Sequence, residues 1–294
     1  MRPVSSWGDR RRGISLLTSR AQSSGMAITT QAVLATALFL GMPTNLPSQP
    51  DEDAQAAGEV AEISSRRMTV GGQDYAWSVI VPHGVEPGGA ALLFLHGYGE
   101  CGDDGGRQLG VGLPPAVFKN PGEWPFVLIV PQKPVHNSEW EDHEQAVLAM
   151  LDAAAAEGLY DPKRLAITGL SQGGHGTIAF ASRHPDRFRA AAPVCGYADR
   201  RFDEKQQRIG ETEASSDDPT IMAAAERLKA MPVWLFHGGA DSVVPPGESR
   251  ALAAAIEAAG GEVRHTEYEG VDHNSWDRAY ADSALAGWFL EHTR

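Results

Sequence analysis

Short apolar segments alternate with segments of helical hydrophobic spacing along most of the chain. The strand-like segments cover residues 75–81, 91–95, 126–130, 165–167, 190–194, 232–237 and 263–268. The five between 91 and 237 are apolar and typical of buried strands, whereas 263–268 alternates. Helical spacing predicts helices over 177–183, 249–259 and 279–290, and another that begins at Trp140 with Val147, Leu148 and Leu151 on one face. This alternation predicts one α/β core with a mostly parallel sheet flanked by helices.

Two segments depart from the regular pattern. In 75–81, Trp77 and Val79 alternate with polar or small residues, which predicts a partly exposed strand. Residues 199–219 are highly charged and poor in apolar side chains. They predict either an exposed insertion that partly covers a site or a plain loop.

The first part of the chain is interpreted as a signal-like leader and linker over 1–56, followed by one domain over 57–294. Arg10, Arg11 and Arg12 precede an apolar stretch, 32–42, that is too short to span a bilayer. Small residues at 54–56 are typical of a cleavage site. These features predict export to the periplasm or the outside of the cell. A cytoplasmic protein whose leader is not a signal is the alternative.

Charge and cysteine content narrow the possible partners. The 294 residues carry a net charge of −13, and the charge is −14 without residues 1–56, which hold five basic and four acidic residues. Such an acidic domain repels phosphate backbones, so nucleic acid is excluded as a partner. The two cysteines, Cys101 and Cys195, are too few for a disulfide framework or a zinc site. They either form one bridge in an exported chain or remain unpaired thiols.

One apolar segment runs directly into a glycine turn that contains a serine. Residues 165–167 lead into Gly169-Leu-Ser-Gln-Gly173, and a helical segment follows. A strand, a Gly-x-Ser-x-Gly turn and a helix are the context in which this motif exposes a nucleophile. On the motif alone, a glycine-rich turn without chemistry is the alternative, because 32 residues are glycine. Ser171 is the candidate nucleophile, and the amide of Gln172 is a candidate oxyanion donor.

The partners that a nucleophilic serine needs follow it in the order serine, acid, histidine. Asp241 lies in the loop after segment 232–237, and His273 lies in a loop before the last helix. Segment 91–95 enters a glycine turn in which Tyr98 can supply a second oxyanion N–H. Asp272 is the rival acid. It adjoins the histidine in sequence and is poorly placed to face its ring, so Asp241 is the predicted orienter.

Other polar residues receive structural interpretations. His96 is expected to brace the oxyanion turn, and His237 is expected to be structural at the end of its strand. His143 lies among acids at a helix start and is expected to be solvated. Asp103 and Asp104 could suggest a metal site, but no further ligand pattern follows them, which favours a solvated loop.

The motifs taken together resemble the phospholipase/carboxylesterase/thioesterase branch of the α/β-hydrolases, especially its predicted-peptidase (esterase) relatives. The resemblance implies the α/β-hydrolase fold, with Ser171 as nucleophile, His273 as base and Asp241 as orienter. It extends from about Met68 to the C-terminus, and segment 198–231 is longer than the usual link. The matching motifs are LHGYGECGDD at 95–104, GLSQGG at 169–174, APVCG at 192–196, VWLFHGGADSVVP at 233–245 and GVDHNSWDRAY at 270–280.

The expected activity is that of a serine carboxylesterase-type hydrolase that cleaves carboxylic esters or thioesters. His273 removes the Ser171 proton, the amides of Tyr98 and Gln172 hold the oxyanion, and water cleaves the acyl-enzyme. No metal or organic cofactor is required, and the expected partner is a small-molecule ester, without stable membrane insertion of the domain. A serine peptidase for short peptides is the alternative enzyme. A non-catalytic binding protein of the same fold is the alternative of another class.

Overall fold

A sheet of eight strands forms the centre of the residues that the structure, a computed structural model, describes: 61–202, 205 and 214–294. Its order is β1-β2-β4-β3-β5-β6-β7-β8. β1 and β2 form an antiparallel hairpin, β2 is antiparallel to β4, and the remaining neighbours are parallel. The predicted α/β fold with a mostly parallel sheet is therefore confirmed. The strands are β1 (Ala61–Val70), β2 (Gln73–Pro82), β3 (Gly89–Leu95), β4 (Val127–Pro131), β5 (Tyr160–Leu170), β6 (Ala191–Val194), β7 (Val233–Gly238) and β8 (Val263–Tyr268).

Helices cover both faces of the sheet and divide the core into two layers. The helices are α1 (Leu113–Lys119), α2 (Glu144–Ala156), α3 (Gln172–Arg183), α4 (Pro219–Leu228), α5 (Gly247–Ala258), α6 (Trp276–Ala281) and α7 (Ser283–His292). Apolar side chains of α2, α3, α4 and α5 pack in one layer. Those of α1, α6 and α7 pack in the other. Parallel strands buried on both faces are rich in apolar residues throughout, which is why they are visible in the sequence.

The early strand is more buried than its alternating pattern predicted. In β2, the six residues from Tyr75 to Ile80 are all buried, so the expectation of partial exposure is wrong. Trp77 and Val79 enter one core layer, whereas Ile80 enters the other. Since β1 and β4 also flank this strand, its small and polar residues are enclosed as well.

The helices differ from the predictions in several places, and α1 was not predicted. α2 begins at Glu144, after a 3-10 helix at Trp140–His143, rather than at Trp140. α3 begins at Gln172, directly after the serine, rather than at 177. The predicted last helix is two helices, because Asp282 ends α6 and caps the first turn of α7 through Ala284 N. α4 was not predicted. It begins with Pro219 after Asp218, whose carboxylate accepts from the amides of the first turn.

Part of the sequence interpretation lies outside the described residues. This applies to the leader at 1–56, to its boundary with the domain, and to much of the insertion at 199–219. Within the described ranges, none of the helices combines the length and the apolar character that a membrane span requires.

Candidate active site

Ser171 lies in a strained turn between β5 and α3. Its backbone has φ 54° and ψ −116°, a region that residues with a side chain rarely occupy. The turn is bonded to the neighbouring strand β6, because Ser171 N donates a 2.9 Å hydrogen bond to the carbonyl oxygen of Val194. The serine hydroxyl is thereby presented at the carboxyl edge of the sheet.

Close backbone contacts require the glycines on either side of the serine. A Cβ atom at Gly173 would lie 1.9 Å from the carbonyl oxygen of Leu95 on β3. One at Gly169 would lie 2.4 Å from the carbonyl oxygen of Gly173. No side chain fits at either position, so the first turn of α3 can press directly against β3.

The structure brings Ser171, His273 and Asp241 into one hydrogen-bonded line. His273 Nε2 lies 2.9 Å from Ser171 Oγ, although the two residues are 102 positions apart in sequence. On the other side of the ring, His273 Nδ1 lies 2.8 Å from Asp241 Oδ2. The three residues follow β5, β8 and β7, whose carboxyl ends meet at one edge of the sheet. This arrangement can carry a proton from a hydroxyl to an imidazole.

Asp241 is fixed as an ionised acceptor. Its Oδ1 accepts 2.8 Å hydrogen bonds from the amides of Val243 and Val244. Burial acts to raise the pKa of the Asp241 carboxyl, but hydrogen bonds from His237, His273 and those two amides outweigh it and hold the pKa well below its usual range. The carboxylate is therefore charged at any pH at which the protein would work.

Asp272, the rival acid, faces another loop. Its Oδ1 accepts from Ser242 N at 2.8 Å, from Ser242 Oγ at 2.9 Å and from His273 N at 2.8 Å. These bonds join the loop after β7 to the loop after β8. Asp272 is hydrogen-bonded to the backbone of His273, whereas the ring of His273 is bonded to Asp241.

Tyr98 and Gln172 both line a cavity of about 670 Å³ that opens onto Ser171 and His273. Among the described residues, neither of their backbone N–H groups donates to a protein acceptor. Gln172 is the first residue of α3, so its amide is one of the unpaired donors of a helix N-terminus. Its side chain is occupied elsewhere, because Nε2 donates to Ser138 O at 2.8 Å.

The cavity wall is largely aromatic and aliphatic. The ring of Tyr98 is 45% exposed and stacks on Phe202, with centroids 6.1 Å apart and planes inclined by 24°. Trp276 meets the ring of His273 edge-on at 5.4 Å. Leu170, Tyr197, Val243 and Val244 complete the apolar part of the wall. Such a wall can hold an uncharged acyl or alcohol group beside the hydroxyl of Ser171.

Two of the other histidines are buried structural groups. His96 Nδ1 donates to Gly97 O at 2.7 Å and its Nε2 accepts from Lys133 N at 2.9 Å, so it braces the oxyanion turn as expected. Burial lowers the pKa of His96 to about 3, which keeps the ring neutral. The prediction that His143 is solvated is wrong. Its ring is buried between Tyr75 Oη at 3.0 Å and Ser138 Oγ at 2.8 Å.

The cysteines and acidic pairs offer little for a metal ion. Cys101 and Cys195 are both buried and unbridged. Among the described residues, one group of metal-ligand type has its atoms within 4.8 Å of one another, namely Cys195, Asp241 and His273. Burial raises the pKa of the Cys195 thiol to about 12, so it is a poor ligand, and the other two residues already bind each other. Asp104 instead caps a loop, accepting from the amides of Gly106 and Arg107.

A buried ion pair beneath the site was missed in the sequence. His175 on α3 lies 3.1 Å from Glu141, and its Nδ1 donates to Tyr197 O at 2.9 Å. Burial acts to lower the pKa of His175, but the charge of Glu141 outweighs it and raises the pKa to about 9. Burial acts in the opposite sense on Glu141, and His175 lowers its pKa to about 2. The pair links α3 to the short helical turn that precedes α2. Because its members are 34 positions apart, no local sequence pattern indicates the contact.

Replacing His175 by glutamine is expected to lower the free energy of unfolding by about 3 kcal/mol, because Glu141 then stays buried with only the more distant Arg200, at 3.7 Å, as a cationic neighbour. The loss should depend on pH. The Glu141 contribution is present above its ordinary pKa of 4.5 and disappears as the pH falls towards about 2. The His175 contribution is present below its ordinary pKa of 6.5 and disappears as the pH rises towards about 9. Urea unfolding of both proteins from pH 3 to pH 9.5 should therefore differ most between those two ordinary values. An equal difference at every pH would contradict the pairing.

The sequence of this chain is similar to those of known enzymes. Residues 137–294, which are more than half of the chain, match the prolyl oligopeptidase family. Acylamino-acid-releasing enzyme 2 of Oryza sativa subsp. japonica is 30% identical over 142 residues, covering 41% of this chain and 18% of the relative. The chain thus spans less than a fifth of the length of that curated relative.

Solved structures show the same fold. A thermostable esterase superposes with a TM-score of 0.62 and 28% identity, covering 79% of this chain and 63% of the esterase. The acylaminoacyl peptidase of Pyrococcus horikoshii superposes with a TM-score of 0.59 and 16% identity, covering 82% of this chain and 43% of the peptidase. The second likeness concerns the fold alone.

Proposed function

This chain belongs to the prolyl oligopeptidase family, and on that premise we propose that it is a serine hydrolase that cleaves carboxylic esters and thioesters through an acyl-enzyme on Ser171. The observation that carries the proposal is the line from Ser171 Oγ through His273 to Asp241, with contacts of 2.9 and 2.8 Å. A hydroxyl, an imidazole and an ionised carboxylate in this order are what acyl transfer to serine requires. A non-catalytic binding protein, the alternative of another class, is not pursued, because Ser171, His273 and Asp241 are all present and hydrogen-bonded to one another.

The proposed mechanism uses only groups of this chain. Ser171 Oγ attacks the carbonyl carbon while His273 Nε2 takes its proton, and Asp241 holds the ring with the other nitrogen protonated. The amides of Tyr98 and Gln172 stabilise the oxyanion, and one such donor is worth about 3 kcal/mol of the barrier. His273 then protonates the leaving alcohol or thiol, and a water activated by the same ring cleaves the acyl-enzyme.

Two observations support esters over peptides. The mostly apolar wall of the cavity offers room for an uncharged acyl or alcohol group. The thermostable esterase, at 28% identity, covers most of this chain. The cavity opens onto Ser171 and His273, so a small ester can be bound beside the proposed nucleophile.

One observation favours a serine peptidase as the second candidate. Glu100 is the acidic side chain that lines the cavity in the described part of the chain, and its Oε2 is buried there without a hydrogen-bond partner. Burial raises the pKa of this carboxyl. A substrate ammonium group would supply the missing partner, as a short peptide with a free amino terminus does.

A substrate panel separates the two candidates. We expect p-nitrophenyl esters of neutral acids to be cleaved with a kcat/KM at least 100-fold above that of peptide p-nitroanilides. Glu100→Gln is expected to leave ester hydrolysis within about twofold, because a neutral ester makes no ionic contact with this carboxylate. Glu86→Gln, which changes an exposed acid away from the cavity, is the matched control. Rapid cleavage of anilides with a free amino terminus, lost in Glu100→Gln and kept in Glu86→Gln, would favour the peptidase.

Export is a separate proposal and rests on the leader alone. The charged residues 10–12, the apolar stretch 32–42 and the small residues at 54–56 support it. The acidic charge of the remaining domain supports a small molecule rather than nucleic acid as its partner.

A further inference from the structure

A second histidine lies directly behind the proposed triad. His237 is the penultimate residue of β7 and is fully buried. Its Nε2 lies 3.3 Å from Asp241 Oδ2, the same oxygen that faces His273, and 3.0 Å from Val244 O. On the opposite side of the ring, Nδ1 lies 2.6 Å from the hydroxyl of Ser249, which is on α5.

The neighbours of His237 determine which nitrogen carries its proton. Both groups at Nε2 are acceptors only, namely a backbone carbonyl and an ionised carboxylate, so the proton must be on Nε2. Nδ1 is then an acceptor and receives the hydroxyl proton of Ser249. The result is a directed line of hydrogen bonds from Ser249 through His237 to Asp241, where it meets the line from Ser171 through His273.

We propose that His237 is a positioning residue for the reaction of Ser171: its Nε2–H holds Asp241 Oδ2 and limits the proton affinity of His273, and Ser249 keeps His237 in the required tautomer. The inference rests on the proposed function. A carboxylate oxygen that accepts two hydrogen bonds has less charge available to each donor than one that accepts a single bond. Without His237, Oδ2 would face His273 alone and would favour its protonated, inactive form.

Other titratable groups among the described residues also lie near His237 and near His273. Next to His237, Glu267 is its register partner on β8, and His265 lies on the same strand. Glu267 is held by Arg250 of α5, at 2.6 Å. Next to His273 lie Asp241 and the thiol of Cys195, whose atoms fall within 4.8 Å, and Asp272, which binds the backbone amide of His273. Burial lowers the pKa of His265 and raises that of Cys195. Both groups are therefore neutral near pH 7 and add no charge beside His237 or His273.

The test follows the rate of Ser171 phosphonylation, in which the serine oxygen bonds to phosphorus and fluoride leaves, as a function of pH in the full-length protein. The rate constant for inactivation by a fluorophosphonate is measured from pH 5 to pH 9, since this reaction needs a neutral His273 and depends little on ester or peptide preference. The variants are His237→Leu, which removes the donor, His237→Gln, whose amide can still donate, and Ser249→Ala. Ser182→Ala is the matched control, because this buried serine on α3 donates to Ile178 O, away from the line.

We expect His237→Leu to slow the plateau rate by roughly 10- to 100-fold, the range for loss of one hydrogen bond to a charged group. The acid limb of the profile should move up by roughly one pH unit. Ser249→Ala should shift the limb in the same direction by a smaller amount, His237→Gln should restore most of the rate, and Ser182→Ala should match the unmodified protein.

Unchanged acid limbs in His237→Leu and Ser249→Ala, with only a lower melting temperature, would overturn the inference and leave His237 a packing residue. If His237→Leu does not fold, Ser249→Ala decides the matter, because an unchanged acid limb in that variant overturns the inference. The proposed function fails in a different way, by the absence of probe on Ser171 in the unmodified protein.

Discussion

Replacing Ser171 by alanine is expected to lower kcat for ester hydrolysis by roughly 10⁵- to 10⁶-fold and to abolish labelling by a fluorophosphonate probe. The reason is that the hydroxyl oxygen 2.9 Å from His273 Nε2 is the atom that forms the acyl bond in the proposed mechanism. The fold should be retained, because the hydroxyl contributes a single hydrogen bond in a partly exposed site.

The measurement combines turnover of p-nitrophenyl acetate with probe labelling and a thermal melt. Ser182→Ala, on the helix α3 that follows Ser171, serves as the control and should be labelled at the same rate as the unmodified protein. Labelling that persists in Ser171→Ala would mean that another residue is the nucleophile.

The second large effect concerns the acid that orients His273. Asp241→Asn is expected to lower kcat by roughly 10⁴-fold, by analogy with other serine triads, because an amide at this position no longer fixes the tautomer of the base. Asp272→Asn is expected to cost about tenfold or less. Its carboxylate binds Ser242 and a backbone amide, so its loss loosens two loops and leaves the ring of His273 bonded to Asp241.

Steady-state hydrolysis by the two asparagine variants distinguishes these roles, with thermal melts as the check on folding. Because both substitutions change aspartate to asparagine within the same pair of loops, each is the matched control of the other. A crippled Asp272→Asn beside a nearly normal Asp241→Asn would reverse the assignment.

The sequence predicted that the candidate residues would lie at one edge of the sheet, because each of them follows a strand. Buried parallel strands are visible as short apolar segments, and their carboxyl ends must meet at one edge of the sheet. Ser171, Asp241 and His273 follow β5, β7 and β8, and the structure brings them together at that edge. Only the pairing order of the strands, which no local pattern encodes, had to come from the structure.

Elements whose stability comes from packing were harder to predict. The first turn of α3 contains Gly173, Gly174 and Gly176, which are poor helix formers, so the pattern placed its start at 177. Contact with the backbone of β3 holds that turn, and this contact is visible only in three dimensions. α4 could have been found, because Asp218 followed by Pro219 is a typical helix start.

Charged and polar residues gave the least reliable predictions. His143 was expected in water because its sequence neighbours are acidic, but its ring meets Tyr75, which is 68 positions earlier. The pair of His175 and Glu141 and the contact of His237 with Asp241 also arise from tertiary structure. Burial of a polar side chain depends on a distant partner, and a single sequence does not identify that partner.

The separation of 102 residues between Ser171 and His273 also has a consequence for biosynthesis. A ribosome adds roughly 5 to 20 residues per second, so the serine is synthesised about 5 to 20 s before its base. β7 and β8, which position Asp241 and His273, are synthesised only in the course of that interval. A serine hydroxyl without a base is a weak nucleophile. The order of these residues along the chain therefore delays the proposed acylation until His273 has been synthesised.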